Sequence, residues 1–162
     1  MDLMQTERDP GGPVPPVRGL APPVLLARLI ASGRWQHPGD DVLRRALPWF
    51  ESPLVFLHSA GTMEAESTFL DEYAGDDWAS RYFHVTRTGH RLGLPWLDAG
   101  LSFCIAVNRI PGDDVAIALD YRGENGSPIV VASDAWTYPR SHLWRPVAPS
   151  FDAFASMLGI TP

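Results

Sequence analysis

The chain has 162 residues, of which 45% are hydrophobic, and it carries a formal net charge of -6 at pH 7. This length and this apolar fraction are typical of one globular domain with a real core, which excludes a chain that is disordered throughout. The acidic balance argues against a nucleic-acid surface or an anionic membrane surface, because both would repel the chain, and it is compatible with a basic protein partner.

The sequence also bears on the compartment in which the chain works. Cys104 is its one cysteine, so no internal disulfide can form, and a reducing, cytoplasmic compartment is the simple expectation. Residues 1–23 have acidic side chains where a signal peptide would have basic ones. The apolar run from Val24 to Ala31 is interrupted by Arg28 and is too short to span a bilayer.

The first part of the chain predicts a flexible arm followed by a helical half. Residues 1–20 form the arm, because their Pro-Gly-Gly-Pro and Pro-Pro pairs block helix and strand alike. Residues 21–93 are the helical half, within which the run 54–57 fits either a buried strand or a buried helical turn. Helices are predicted from Pro22 to Ser32 (ended by Gly33), Asp41 to Leu47 (capped by Asp40), Thr62 to Tyr73, and Trp78 to Phe83.

The second part of the chain, residues 94–149, predicts strands, and a terminal helix follows at 150–159. The stretches 102–107, 115–121 and 128–132 are rich in β-branched residues and are bounded by turn signals. In the middle stretch large apolar side chains alternate with small or polar ones, which suits an antiparallel sheet with one face on helices. Ser150 is a good N-cap for the last helix, and Gly159 can close it in the left-handed conformation. The order of elements predicts a single α+β domain.

Four motifs of this second half resemble, in their order and spacing, the SMI1/KNR4 family of the SUKH superfamily. They are Leu94–Asp98, the acidic turn and strand Pro111–Tyr121, the strand Val130–Asp134 that ends in Ser-Asp, and Trp144–Phe154. The resemblance implies an antiparallel sheet flanked by helices, no cofactor and no catalytic residue. Bacterial members look like immunity proteins that bind and neutralise toxin domains, often nucleases or deaminases. Fungal members resemble regulatory scaffolds of cell-wall signalling.

Three groups of residues are candidates for contacting a partner. They are the acidic turn and strand end (Asp113, Asp114, Asp120), the acidic helical stretch (Glu64, Glu66, Asp71, Glu72), and the aromatic–arginine loop at 134–143 (Asp134, Trp136, Tyr138, Arg140). Packed on one surface, the acidic stretch would steer a basic partner; otherwise it is an ordinary solvated helix face. The acidic turn is either a partner-facing edge or a solvated turn. Tryptophan and arginine are enriched at binding hot spots, which favours the loop.

The histidines do not predict a metal site, because no two of them have metal-ligand spacing. The sequence therefore favours a non-catalytic protein-binding domain of the immunity type, without cofactor or metal, whose partner is a basic toxin domain. One alternative is a regulatory scaffold of the same fold, with the arm as its contact. Another is a small hydrolase that uses His58 or His142 with Asp134 or Asp120 and so needs a histidine beside a carboxylate in a pocket. The partner's identity, the face it contacts and the oligomeric state stay open.

Overall fold

A computed structural model describes residues 13–51, 53–88, 92–110, 115–123, 125–137 and 140–162, which form an antiparallel sheet between two layers of helices. The helices of these ranges are α1 (Val24–Ala31), α2 (Asp40–Ala46), α3 (Ala60–Glu66), α4 (Thr68–Ala74), α5 (Asp77–Phe83) and α6 (Phe151–Met157). The strands are β1 (Leu54–Phe56), β2 (Val85–Thr86), β3 (Leu97–Asp98), β4 (Ser102–Asn108), β5 (Ala116–Asp120), β6 (Ile129–Ser133) and β7 (Arg145–Ala148). The predicted α+β class, a single domain with an antiparallel sheet flanked by helices, is confirmed.

The main sheet has the strand order β1-β4-β5-β6-β7, and every neighbouring pair in it is antiparallel. β2 and β3 form a separate, short parallel pair. The strands predicted at 102–107, 115–121 and 128–132 are β4, β5 and β6. The apolar run at 54–57, which periodicity left undecided, contains β1, and this strand forms one edge of the main sheet.

One face of the main sheet carries the large apolar side chains and packs on α1, α6 and Trp35. Phe103 lies opposite Leu119 in the pairing of β4 with β5, and both side chains are fully buried. The ring of Trp35 lies 4.7 Å from the ring of Phe56 and 5.3 Å from that of Phe151. Full burial of each such side chain stabilises the fold by about 1.5–3 kcal/mol, so this face is the main core.

The opposite face carries small side chains and is buried as well. Cys104 lies opposite Ala118, and all five residues of β5 are buried. α3 packs against β4 on this side, where small side chains let a helix approach closely. The expectation of one helix-covered face was therefore wrong, because the small and partly polar face is a second packing surface.

Two predictions about helices were also wrong in detail. The single helix expected over 62–73 is split into α3 and α4 at Ser67, which is fully buried. The hydroxyl of Ser67 accepts a hydrogen bond, at 2.9 Å, from the backbone N–H of Cys104, next to a register shift in β4. This tertiary bond lies at the junction of the two helices. Asp40 is not a cap but the first residue of α2, whose N-cap position is taken by Gly39.

The ends of α1 and α6 follow the sequence signals closely. Ser150 caps α6, since its hydroxyl accepts a hydrogen bond from the N–H of Ala153 at 3.0 Å. Gly159 has the expected positive φ of 68°. Its N–H donates to the carbonyl of Ser156, and the N–H of Ile160 donates to that of Ala155, which is the Schellman pattern of helix closure. Gly33, with φ 69°, closes α1 in the same conformation.

The last residues of the predicted arm, 13–20, lie on the domain, whereas residues 1–12 are outside the described residues. Val17 is fully buried, and Val17 and Leu20 exchange two backbone hydrogen bonds of 2.9 Å. Between them Arg18 and Gly19 have φ values of 53° and 76°, as in a type I′ turn. This tight turn directs the Arg18 side chain towards α4.

Candidate protein-binding surface

α5 presents a pair of exposed aromatic rings. The helix begins after Asp76, whose side chain accepts a hydrogen bond from the N–H of Ala79 at 2.7 Å. One helical turn separates Trp78 from Tyr82, so both side chains lie on the same side of the helix. Their exposed fractions are 68% and 50%, and the two rings stack with a centroid distance of 4.9 Å and an interplanar angle of 11°.

The other side of α5 holds this pair in place. Phe83 stacks on Tyr73 of α4 with ring centroids 3.8 Å apart, and it lies 4.6 Å from the ring of His142. His142 also contacts Tyr82, at 5.2 Å, and its carbonyl accepts a hydrogen bond of 2.9 Å from Nδ1 of His84. The C-terminal part of the aromatic–arginine loop is thus packed against α5, and the exposed rings are backed by the half-buried rings of Tyr73 and Phe83 and by the buried imidazole of His142.

A shallow depression of about 470 Å³ lies beside the rings and is lined by Asp77, Trp78, Arg81 and Tyr82, which we call the α5 surface. A stacked tryptophan and tyrosine present π-faces that attract arginine or lysine side chains. The carboxylate of Asp77 adds an acceptor for the same cations. Chemically, the α5 surface suits a basic, arginine-bearing partner, with Arg81 available to an acidic group at its border.

Asp71, in the middle of the acidic stretch, is bonded inside the protein. The guanidinium of Arg18 donates to both of its carboxylate oxygens, at 2.9 and 2.7 Å, and Arg87 pairs with the same carboxylate. Arg18 also donates from Nη2 to the carbonyl of Ala99 at 2.7 Å and from its backbone N–H to Glu64 at 2.5 Å. We call this cluster the Arg18 anchor. The hydrogen bonds from Arg18 lower the pKa of Asp71, and in turn those to Asp71 raise the pKa of Arg18.

The acidic stretch is consequently not one unbalanced surface, as its sequence suggested. The sequence showed few bases before Arg81, but Arg18 and Arg87 reach Asp71 from other parts of the chain. Glu66 and Glu72 are exposed, and of the predicted residues in this stretch they are the ones that remain candidates for steering a basic partner.

Asp120 and Asp134 are buried, which removes them from the candidate surface. Asp120 is 4% exposed, and its two carboxylate oxygens accept hydrogen bonds of 2.9 and 2.8 Å from Arg122. Arg122 donates in addition to the carbonyl of Trp96 at 2.6 Å, so this pair ties the end of β5 to the segment before β3. Asp134 is fully buried and accepts hydrogen bonds from two backbone N–H groups, those of Glu51 at 2.6 Å and of Trp136 at 2.9 Å.

The aromatic–arginine loop does expose two of its predicted residues. Trp136 is 52% exposed, and Arg140 is exposed with a positive φ of 56°. The hydroxyl of Thr137 donates to the carbonyl of Trp49 at 2.5 Å, which ties the start of the loop to the segment after α2. Tyr138 of this loop, and Asp113 and Asp114 of the acidic turn, lie outside the described residues.

Sequence reasoning missed the Trp78–Tyr82 pair, although a signal was present. The segment Trp78 to Phe83 was predicted as a helix, and two large aromatic residues one turn apart on one side, with Phe83 on the other, cannot all face one core. Trp144 is 4% exposed, while Trp96 is half-buried with its ring 5.1 Å from that of His84.

Cys104 is chemically inert in this fold. It is fully buried in β4, and burial raises the pKa of its thiol to about 12. Because the thiolate is the reactive form, this side chain has no role as a nucleophile near neutral pH.

The hydrolase alternative depends on the surroundings of its histidine and aspartate side chains. The imidazole of His37 lies beside a carboxylate, with its Nε2 3.6 Å from Oδ1 of Asp40. His58 is exposed, and the bonds described for Asp120 and Asp134 come from Arg122 and from backbone N–H groups.

Two further searches of the described ranges bear on function. No three histidine, cysteine, aspartate or glutamate side chains in them converge so as to hold a metal ion. None of the helices described above has the length and apolar character needed to cross a bilayer.

Comparison of the chain with protein-family models, curated proteins and solved structures gives no match. The resemblance to the SMI1/KNR4 family therefore remains a prediction from sequence motifs, and function is argued from the surfaces described above.

Proposed function

We propose that the chain is a non-catalytic protein-binding domain of SMI1/KNR4-like type and that the α5 surface makes its central contact. The observation that carries this proposal is the exposed, stacked pair of Trp78 and Tyr82. Large aromatic side chains on a rigid base lose little conformational entropy on binding and bury much apolar area, which is why they dominate hot spots. In the structure described, Trp78 keeps 68% and Tyr82 50% of its surface exposed.

The charge around the pair favours a basic partner. Asp76 and Asp77 begin α5, Glu72 is exposed on the preceding helix, and the whole chain carries a net charge of -6. Enzymes that act on nucleic acids have basic clefts, since they must attract phosphates. An acidic and aromatic surface is complementary to such a cleft and would block it by occupying it. The proposed role is therefore that of an immunity-type protein against a nuclease or deaminase toxin domain.

The test is co-expression of the full chain with the protein encoded by the adjacent gene, with growth and co-purification as readouts. We expect the chain to restore growth and to co-purify with that protein. The double variant Trp78→Ala/Tyr82→Ala should lose both, with an affinity reduced by about 30-fold or more, as for hot-spot aromatics.

The matched control is Val24→Ala, which truncates a side chain on α1 that is 71% exposed, and it should leave binding unchanged. Trp136→Ala tests the aromatic–arginine loop separately. A folded Trp78→Ala/Tyr82→Ala variant that still binds as tightly as the unaltered chain would rule out the α5 surface. Binding without any effect on growth would favour the regulatory-scaffold alternative over immunity.

A further inference from the structure

The outer edge of β1 has backbone groups without hydrogen-bond partners. In its pairing with β4, Leu57 donates to the carbonyl of Ile105, and the carbonyl of Pro53 accepts from Arg109. Because an antiparallel strand bonds its neighbour through alternate residues, the N–H and C=O groups of Leu54 and Phe56 point away from the sheet. In the part of the chain that the structure describes, these groups have no partner.

A groove of about 410 Å³ runs along this edge, lined by β1 and by the segment Trp35 to His37. The rings of Trp35 and His37 lie 4.7 and 5.2 Å from the ring of Phe56; Trp35 is buried, and His37 is half-buried. Val55, on the strand itself, is 44% exposed. All three residues of β1 line the groove.

The two edges of the main sheet differ in how they are protected. Proteins commonly block exposed edges with proline or charged residues. β7, at the far edge, has both, with Pro146 and Arg145, whereas β1 has the sequence Leu-Val-Phe. An unprotected edge beside a groove is the arrangement used for peptide binding by strand addition.

We propose that the edge of β1 binds an extended segment of a partner protein, which adds a strand to the main sheet. Alternate residues of the segment exchange hydrogen bonds with the backbone of Leu54 and Phe56. Arg109 lies at the N-terminal end of β1 and His58 at its C-terminal end, and both are exposed in or beside the groove. A carboxylate at the matching end of the segment would pair with Arg109.

Charge favours a partner segment over a second copy of this chain. In a two-fold antiparallel pairing of two β1 strands, Arg109 of each copy would lie beside His58 of the other. Such a pairing places an imidazole beside Arg109, whereas an acidic segment offers it a carboxylate. This inference concerns a surface separate from α5 and does not rest on the function proposed above.

The experiment uses the full ¹⁵N-labelled chain and a synthetic probe, acetyl-Thr-Val-Thr-Val-Thr-Asp-amide, followed by amide chemical shifts. In an antiparallel pairing with β1, the C-terminal aspartate of this probe lies beside Arg109. We expect shifts and slowed hydrogen exchange at Leu54 and Phe56. Two further peptides carry N-methyl groups on one or the other set of alternate residues. Since only one set faces β1, one methylated peptide should lose binding by about tenfold or more and the other should keep it.

Two variants complete the test. Arg109→Ala should weaken the aspartate probe about threefold to fivefold, as for a partly exposed ion pair, and should not affect a probe with asparagine in its place. Trp78→Ala/Tyr82→Ala should bind the probe as the unaltered chain does. Equal behaviour of the two methylated peptides, or shifts at α5 in place of β1, would overturn the proposal. So would shifts at Leu54 and Phe56 that depend on protein concentration alone, because they would identify a second copy as the occupant.

Discussion

The Arg18 anchor joins the arm to α4, and the α5 surface lies on the next helix. Both consist of charged or aromatic side chains, but their contacts differ. In the anchor, Asp71 is bonded by an arginine 53 residues away in sequence, and the Arg18 side chain is only 10% exposed. On the α5 surface, Trp78 and Tyr82 are backed by the half-buried ring of Phe83 but face solvent. The difference teaches that charged or aromatic composition alone does not distinguish a structural cluster from a contact surface. What distinguishes them is whether residues from distant parts of the chain form hydrogen bonds or packing contacts with these side chains.

The largest effect on stability is expected from removing the guanidinium of the anchor. Arg18→Met keeps the length of the side chain and leaves both Asp71 and the buried carbonyl of Ala99 without this donor. We expect the free energy of unfolding to fall by about 2 kcal/mol, because hydrogen bonds to charged groups contribute about 1.5–3 kcal/mol and water compensates in part at the half-exposed Asp71. Urea denaturation followed by circular dichroism measures this.

Arg87→Met is the matched control, since Arg87 pairs with the same carboxylate but its side chain is 58% exposed. We expect a loss below about 0.5 kcal/mol, as for surface ion pairs. Equal losses of unfolding free energy in Arg18→Met and Arg87→Met would show that burial of the arginine does not determine how much the anchor stabilises the fold.

A smaller effect is expected in acid. The pKa of Asp71 is lowered in the folded state, chiefly by hydrogen bonds from Arg18, so its contribution to stability is fully present above the unfolded pKa of about 3.9. That contribution is lost as the pH falls below this value through the lowered pKa. Stability measured from pH 6 to pH 2 should therefore depend less on pH in Asp71→Asn than in the unaltered chain. An equal pH dependence in the two chains would contradict the assignment.

The smallest effect is expected at α5. Trp78→Ala/Tyr82→Ala removes a stacked pair of exposed rings, and pairs one helical turn apart contribute about 0.2–0.5 kcal/mol. Thermal and urea unfolding should change by no more than about this amount. A loss as large as that of Arg18→Met would indicate that the rings hold the fold together and are not reserved for a partner.

Local signals in the sequence predicted much of the fold. Ser150 and Gly159 bound α6 as expected, because caps and left-handed glycines act within one helical turn. The strands of the second half were readable for a similar reason, since alternation and turn residues are short-range patterns. The α+β class followed from the order of these elements.

The candidate site could be predicted only in part, because its decisive contacts join distant residues. Nothing near Asp71 in sequence announces Arg18, and nothing near Asp120 shows that the second face of the sheet is covered. The break at Ser67 depends on an amide of β4 that is 37 residues away. The exposure of Trp78 likewise depends on a contact between helices: Phe83 of α5 stacks on Tyr73 of α4, and the side of α5 that carries Trp78 faces solvent.

The burial of Cys104 has a practical consequence for studying this chain. It is the one cysteine of the sequence, and its thiol is shielded and fully protonated near neutral pH. A cysteine engineered at a solvent-facing position would thus react alone with maleimide dyes or photo-crosslinkers, with no need to delete the native one. Fluorescence or crosslinking from either proposed surface would then carry little background, and any labelling of Cys104 itself would serve as a gauge of unfolding.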